Sequence, residues 1–371
     1  MKFSCEKALL QTAITTASRA VASKSSIPAL EGLLIRADDG QLTISGYNLQ
    51  TGIRTKLFAD VTETGVIVLN ARLFGDIIRR MPDDMVVFNA DDKQRVRLSC
   101  GNATAAISGL SPADYPELPQ VEDEHAFSIQ QKLLRSMIEE TSFAVSTNES
   151  RPIHTGALFE ITDQGLTMVA VDGFRLALRR EPLERIEGGA FSFVAPGNAL
   201  NEVKNICSDV EDLATVTLGK SHILFKVGDT ELICRRLEGE FLDYKKAIPR
   251  KNPITVIADT KALNESIDRV SVVISEKQKS PVRCRFDHDK VFLSAKTGNG
   301  DMDDICPLSG DGGGLEIGFN SRYLMEALRY APADTVKIEL NTGVSPAIIV
   351  PTEGEENFLY MVLPVRLKST E

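Results

Sequence analysis

Apolar positions along the chain follow two periods that take turns. In three places they recur at i, i+4, i+7 and i+11, the spacing that lines one face of an α-helix. The sets are Leu10, Ile14, Ala17 and Val21; Leu134, Ile138, Thr141 and Val145; and Leu263, Ile267, Val270 and Ile274. The second lies 124 residues after the first, and the third 129 after the second. Between them, short β-branched and aliphatic runs alternate or stay apolar over lengths that suit strands. Gly40–Gly46, Gly165–Ala170 and Lys290–Ala295 occupy the same place in each stretch.

A further strand then runs into a second helix: Val66–Asn70 before Ala71–Arg80, Phe191–Pro196 before Gly197–Ile206, and Leu315–Asn320 before Ser321–Tyr330. Phe74, Leu200 and Leu324 fall at matching core positions, as do Ile77, Val203 and Ala327. Each third closes with strands, seen at Met85–Ala90, Ala214–Leu218 and Thr335–Leu340. The pattern predicts one unit of about 125 residues, β-α-β-β-β-α-β-β-β-β, written three times. Acidic residues Val121–His125 and the segment Pro249–Pro253 separate the copies. The expected domains are residues 1–124, 125–252 and 253–371, in the α+β class, with two helices on antiparallel sheets in each.

Composition narrows the function. At 371 residues with 43% hydrophobic and 25% charged positions, the chain reads as globular and multidomain. No run approaches the ~18 apolar residues of a membrane-spanning helix. The N-terminus has neither an apolar signal core nor a small-residue cleavage site, so a cytoplasmic location is expected. Six scattered cysteines form no C-x-x-C pair and read as reduced, buried thiols.

The net charge of −10 argues against a nucleic-acid partner unless the positive charge is concentrated. It is, on the predicted helices and the loops after them. Arg72, Arg79, Arg80, Lys132, Arg135 and Lys204 are on helices, while Lys24, Arg151 and Lys277 lie in the loops, where the neutral Asn148 is a further candidate contact. Exposed sheet edges invite pairing, and similar domains can pair head to tail into a ring. If helices ~10 Å across line that ring, the six from one chain leave a bore of about 9 Å and the twelve from two chains about 28 Å. Duplex DNA is about 20 Å across. The geometry selects a dimer of six domains, with sequence-independent phosphate contacts that allow sliding.

Local motifs then carry a resemblance. Met1-Lys-Phe3, Ile27-Pro28, Ser111–Pro116, Val171-Asp-Gly-Phe-Arg-Leu176, Phe241-Leu-Asp-Tyr244, Ile317-Gly-Phe-Asn320 and Leu363-Pro-Val-Arg-Leu367 occur in order over three domains. With the repeat, they make the chain resemble the bacterial DNA polymerase III beta-subunit family over its whole length. The resemblance implies a non-catalytic sliding clamp around double-stranded DNA, built as a homodimer and requiring no cofactor or metal. It implies an interface with Ala105 and Ile107 on one side and Val272 and Val273 on the other.

It also implies a cleft for linear peptides from the DNA polymerase III alpha subunit, the clamp loader and other polymerases or repair proteins. The matching positions are His154, Val171, Gly173, Phe174, Arg175, Leu176, Leu242, Lys246, Asn320, Tyr323, Val344, Pro346, Met361, Val362, Leu363, Pro364, Val365 and Arg366. Arg175 and Asn320 are expected to hold the peptide backbone above an apolar floor. Phe174 and Leu242 stand where many members have His and Pro, which puts the cleft's peptide preference in question. The tail Lys368–Glu371 extends past the last motif.

Two rival readings remain. Asp301-Met-Asp-Asp304 with Gly310–Gly314 suggests a metal- or phosphate-handling enzyme. The glycine run, however, lacks the G-K-[ST] ending of a phosphate loop and leads into a strand rather than a helix N-terminus. A monomeric peptide-binding scaffold is the other, and oligomeric state separates it from a ring.

Overall fold

The computed structural model describes every residue except 123–124, 184, 276–279, 355–356 and 368–371. Its helices are α1 (Lys7–Ser18), α2 (Ala71–Arg80), α3 (Gln131–Ser142), α4 (Gly197–Ile206), the one-turn α5 (Tyr244–Ala247), α6 (Thr260–Ser271) and α7 (Ser321–Arg329). Apart from α5 they form three pairs at equivalent positions. The apolar spacing produces the first helix of each pair through its first three positions, whereas the fourth, Val21, Val145 and Ile274, falls beyond the helix end. Leu10, Ile14 and Ala17 are buried, as are Leu134, Ile138 and Thr141, and Leu263, Ile267 and Val270. Thr141 satisfies its hydroxyl by donating to the Met137 carbonyl one turn back, at 2.7 Å. In α2 Phe74 and Ile78 are fully buried, whereas Ile77, expected in the core, packs only partly against it.

Each repeat has the order strand, helix, five strands, helix, three strands. The sequence pattern showed three strands between the helices and four after. One of the strands it lacked is the third: Thr51–Phe58, Arg175–Glu181 and Gly300–Pro307 in the successive repeats. Arg175–Glu181 is covered on both faces, so it shows no clean alternation. The other is an edge strand of only four, three and two residues, Asp60–Glu63, Arg185–Glu187 and Ser309–Gly310. These are too short to display a period.

The chain forms two compact units. The first comprises Met1–Arg135, Glu184–Gly189 and Asn201–Arg236. It holds a five-stranded sheet ordered Asp60–Glu63, Lys2–Glu6, Met85–Ala90, Arg95–Cys100, Ala103–Ser108. Its nine-stranded sheet runs from Gly65–Asn70 through Gly32–Asp38, Gln41–Tyr47 and Thr51–Phe58. It then crosses to the central repeat's Thr230–Arg235, His222–Val227, Leu213–Leu218, His125–Gln130 and Arg185–Glu187. The crossing is an antiparallel ladder with Arg54 opposite Glu231, whose side chains also form an ion pair. Phe3, Phe74 and Phe88 centre the core beside α1 and α2.

The second unit comprises Ser136–Leu183, Ala190–Leu200 and Leu237–Glu371. Its nine-stranded sheet passes from Phe191–Pro196 through Gly156–Thr162, Gly165–Val171 and Arg175–Glu181. It continues into the C-terminal repeat's Phe358–Val362, Ala347–Pro351, Thr335–Leu340, Ile254–Asp259 and Ser309–Gly310. Here Leu176 pairs with Met361, and Arg175 with Val362. A four-stranded sheet, Gly300–Pro307, Lys290–Thr297, Val282–Phe286 and Leu315–Phe319, completes the unit. The central repeat thus supplies one sheet to each unit, and every sheet is antiparallel.

Candidate functional site

The cleft residues gather where strand Arg175–Glu181 meets strand Phe358–Val362. Period-two alternation sorts them into two sets. Val171, Leu176, Met361 and Leu363 share the face carrying an apolar cluster with Val169, Leu178, Ile348, Val350 and Tyr244. Phe241 packs at its margin. Arg175 and Val362 point to the opposite, helix-bearing face. Val362 is fully buried there, so the run Phe358–Val362 is a core strand whose other face carries the candidate cleft residues.

The rim is partly exposed. Gly173 adopts φ +89°, a left-handed turn between two strands where a side chain would be strained. The Asp172 carboxylate closes this turn by accepting from the Phe174 and Arg175 amides at 2.9 and 3.1 Å. Phe174 is left 59% exposed, its ring stacked on Tyr323 at 6.1 Å. Its carbonyl accepts from the Leu363 amide at 2.9 Å, pinning the chain as it leaves the last strand. Leu242 and Val344 are exposed apolar side chains on loops, and Pro346 and Pro364 are half-buried. The His154 ring meets Phe241 edge-on at 5.5 Å. Burial, reinforced by the charge of Arg151, holds its pKa below the usual histidine value. Val365 forms a strand bridge with Gly318, Arg366 is exposed, and Lys246 turns back to Asp243 at 2.7 Å.

Two residues expected to hold a peptide backbone have other work. The Asn320 carboxamide caps α7, accepting from the Arg322 and Tyr323 amides at 3.0 and 3.4 Å. The Arg175 guanidinium is buried and engaged on every side. Nε donates to Asp172 at 2.9 Å, Nη1 to Glu326, and Nη2 to the Phe143 carbonyl at 2.5 Å. Its plane lies 4.5 Å from the Tyr323 ring and 5.4 Å from that of Phe143. Burial opposes the Glu326 carboxylate, yet hydrogen bonds from Arg175 and Arg322 outweigh it and lower the pKa. Asp172 and Phe241 sat within the local motifs without being assigned to the cleft, and Phe143 lay outside them. The Asp-Gly pair at residues 172–173 was a legible turn signal; the other two become neighbours only through long-range pairing.

A second buried cluster lies on the same helix-bearing face. Arg179 Nε approaches Glu140 at 2.9 Å, without the alignment of a hydrogen bond, and Nη2 donates to Glu181. Burial, with the charges of Glu181 and Glu139, outweighs Arg179 and pushes Glu140 up to about 7.

Of the candidate phosphate contacts, Lys24, Arg72, Arg79, Arg80, Arg135 and Arg151 are exposed and Lys204 is half-buried. Arg79 and Arg80 end α2, where cations suit the helix dipole, and both pair with Asp76. Lys132 donates to Glu211 at 2.6 Å. The Asn148 carboxamide oxygen accepts from the Ser150 amide at 3.0 Å and so shapes the loop that presents Arg151. Lys277 lies outside the described residues, as does the tail Lys368–Glu371.

The interface candidates lie on or near sheet edges. Ala105 and Ile107 belong to strand Ala103–Ser108, which among the described residues pairs only with Arg95–Cys100. Both pack partly on the first core, leaving its apolar layer open at the edge. Val272 and Val273 follow α6, with Val272 78% exposed. The Val273 carbonyl accepts from Thr297 at 2.9 Å, beside the start of edge strand Gly300–Pro307. Asp301 and Asp303 lie along that strand, and Asp303 and Asp304 also line a surface pocket that they share with Arg283 and Arg285. Among the described residues, no group of three or more His, Cys, Asp or Glu side chains is placed to hold a metal ion. No described helix is long and apolar enough to cross a membrane.

The chain is similar to known proteins over its whole length. Residues 1–119, 128–243 and 245–366 match the families described as the N-terminal, central and C-terminal domains of the DNA polymerase III beta subunit. The beta sliding clamp of Staphylococcus aureus is 30% identical over 376 residues, covering 99% of each chain. The crystal structure of the DNA polymerase sliding clamp from Bacillus subtilis superposes with a TM-score of 0.93 at 28% identity, over 99% of this chain and 100% of that one. A sliding clamp from Pseudomonas aeruginosa bound to griselimycin gives 0.94 at 25%, with the same coverage.

Proposed function

Since the chain belongs to the bacterial DNA polymerase III beta-subunit family, the beta sliding clamps, we propose that it closes, holds DNA and recruits partners through the three surfaces just described. The chain is a DNA sliding clamp, a processivity factor that catalyses no reaction itself. The domains divide at 1–124, 125–252 and 253–371, and the chain works in the bacterial cytoplasm at the replication fork.

The observation that carries the ring is the pair of open sheet edges. Strands Ala103–Ser108 and Gly300–Pro307, six and eight residues long, lie in the first and last repeats. Antiparallel pairing between two copies satisfies both edges twice and buries Ala105 and Ile107 against Val272 and Val273. The charges agree: exposed Arg95 and Arg97 flank the first edge, and exposed Asp301 and Asp303 lie on the second. Twelve helices then surround a bore of about 28 Å. Lys24, Arg72, Arg79, Arg80, Lys132, Arg135, Asn148, Arg151, Lys204 and Lys277 supply weak phosphate contacts that exchange as DNA slides.

Linear peptides from the polymerase alpha subunit, the clamp loader and other replication or repair proteins dock on the apolar face of Val171, Leu176, Met361 and Leu363. Phe174, Leu242, Tyr323 and Val344 form the rim. Substituting Asp for Ile107 or Val273 buries an unpaired charge at the joint and turns the dimer into a folded monomer. An unchanged dimer mass by sedimentation, with native secondary structure, overturns this interface.

A further inference from the structure

The sixth residue of the second helix is acidic in all three repeats: Asp76 in α2, Glu202 in α4 and Glu326 in α7. In two of them it receives a guanidinium from the preceding repeat. Arg19, the residue that follows α1, donates to Glu202 at 3.2 Å. Arg175, on the central repeat's last long strand before α4's lead-in, donates to Glu326 of the C-terminal repeat. Phe143, which follows α3 as Arg19 follows α1, offers that guanidinium its carbonyl and its ring face. Asp76 has no preceding repeat within the chain, and its carboxylate turns to Arg79 and Arg80 of its own helix.

From this recurrence and from the burial of Arg175 we infer that Arg175 is a positioning residue of the cleft, a latch joining the floor strand to α7, and not a ligand of the bound peptide. The inference deepens the cleft reading above and rests on it for its effect on binding. Acceptors engage all three nitrogens of one planar fork and two rings lie against it, which leaves the Arg175 side chain only 6% exposed to any ligand. Leu176, the next residue, points to the opposite face and supplies the floor. Tyr323, above the fork, carries the rim ring that stacks on Phe174. The latch therefore fixes how far the α7 rim stands from the Leu176–Met361 floor.

The geometry needs all three nitrogens, which lysine cannot supply even with its charge retained. The test compares Arg175→Lys, Arg175→Met and Glu326→Gln in the full-length dimer. One readout is amide exchange over Ser321–Arg329; the other is affinity for a labelled Gln- and Leu-containing peptide.

The latch predicts faster exchange over α7 in all three variants and roughly tenfold weaker binding. The double variant Arg175→Met with Glu326→Gln is then no weaker than the worse single one, because both break one link. The salt dependence of peptide binding stays at the wild-type slope. Full affinity in Arg175→Lys overturns the latch, as does wild-type exchange over α7 in Glu326→Gln. A loss of binding with Arg175→Met alone, with a changed salt slope, makes Arg175 a direct ligand. Should the Arg175 variants fail to fold, Glu326→Gln, which keeps the side chain's size but removes its charge and one acceptor oxygen, carries the test. If Phe174→Ala and Leu363→Ala leave peptide affinity unaltered, the cleft reading fails, and α7 exchange still decides the latch.

Discussion

Phe174→Ala separates recognition from folding more cleanly than any floor substitution. Leu176 is 1% exposed within an apolar cluster, so truncating it opens a cavity at a cost of ~2–5 kcal/mol and confounds binding with stability. Phe174, by contrast, is 59% exposed and holds mainly one stacked ring. A phenylalanine carries roughly 200 Å² of side-chain surface, so about 120 Å² of it remains for a partner to cover. If a peptide covers half, burial at ~25 cal/mol per Å² contributes about 1.5 kcal/mol, close to tenfold in affinity. Fluorescence polarisation with a labelled Gln- and Leu-containing peptide reads this directly. Melting and sedimentation should show an intact dimer whose stability changes by less than ~1 kcal/mol. Affinity within twofold of wild type would mean that the peptide does not cover Phe174, and the rim assignment falls.

Other expectations follow from the charges. Changing Lys24, Arg79 and Arg80 to Ala should weaken DNA binding equally on unrelated sequences and reduce the slope of log K against log salt by about 0.9 for each phosphate no longer neutralised. A weakening confined to one sequence contradicts a sliding mode. Glu140 titrates near 7 in the folded chain against an ordinary 4.5, so the folded state holds a proton that the unfolded state releases in this window. Its contribution is full below about 4.5 and is lost as pH rises through 7. Glu140→Gln should therefore flatten the fall in stability between pH 5 and pH 8 by on the order of 1–3 kcal/mol in urea titrations. An identical pH dependence in wild type and variant refutes the assignment.

Much of this architecture is local, and local features were legible. The ends expected for α2 and α4 coincide with the observed ones because Asn70 and Pro196 precede a clear apolar period. The threefold repeat displayed three of the five strands between the helices three times over. The joining of sheets between repeats was not legible, since Arg54 meets Glu231 and Leu176 meets Met361 across more than 170 residues. Individual strands do not encode such partners. The cleft shows the same boundary within one segment. Residues 171–176 were identified as site residues, but their two faces were merged. Only once Arg175–Glu181 is known to be a strand does period two set Arg175 and Arg179 on the face opposite Leu176 and Leu178. What remained hidden was the acceptor for Arg175, contributed by α7 from 151 residues away.

The central claim is topological: two chains close around DNA and are held by linkage rather than by affinity. The direct measurement loads the protein onto nicked circular DNA and then linearises half of the sample, with retention followed by gel filtration at moderate salt. A closed ring stays on the circle and runs off the free ends, with a loss that blocking those ends prevents. Equal retention on circular and linear DNA, or equal loss from both, contradicts encirclement.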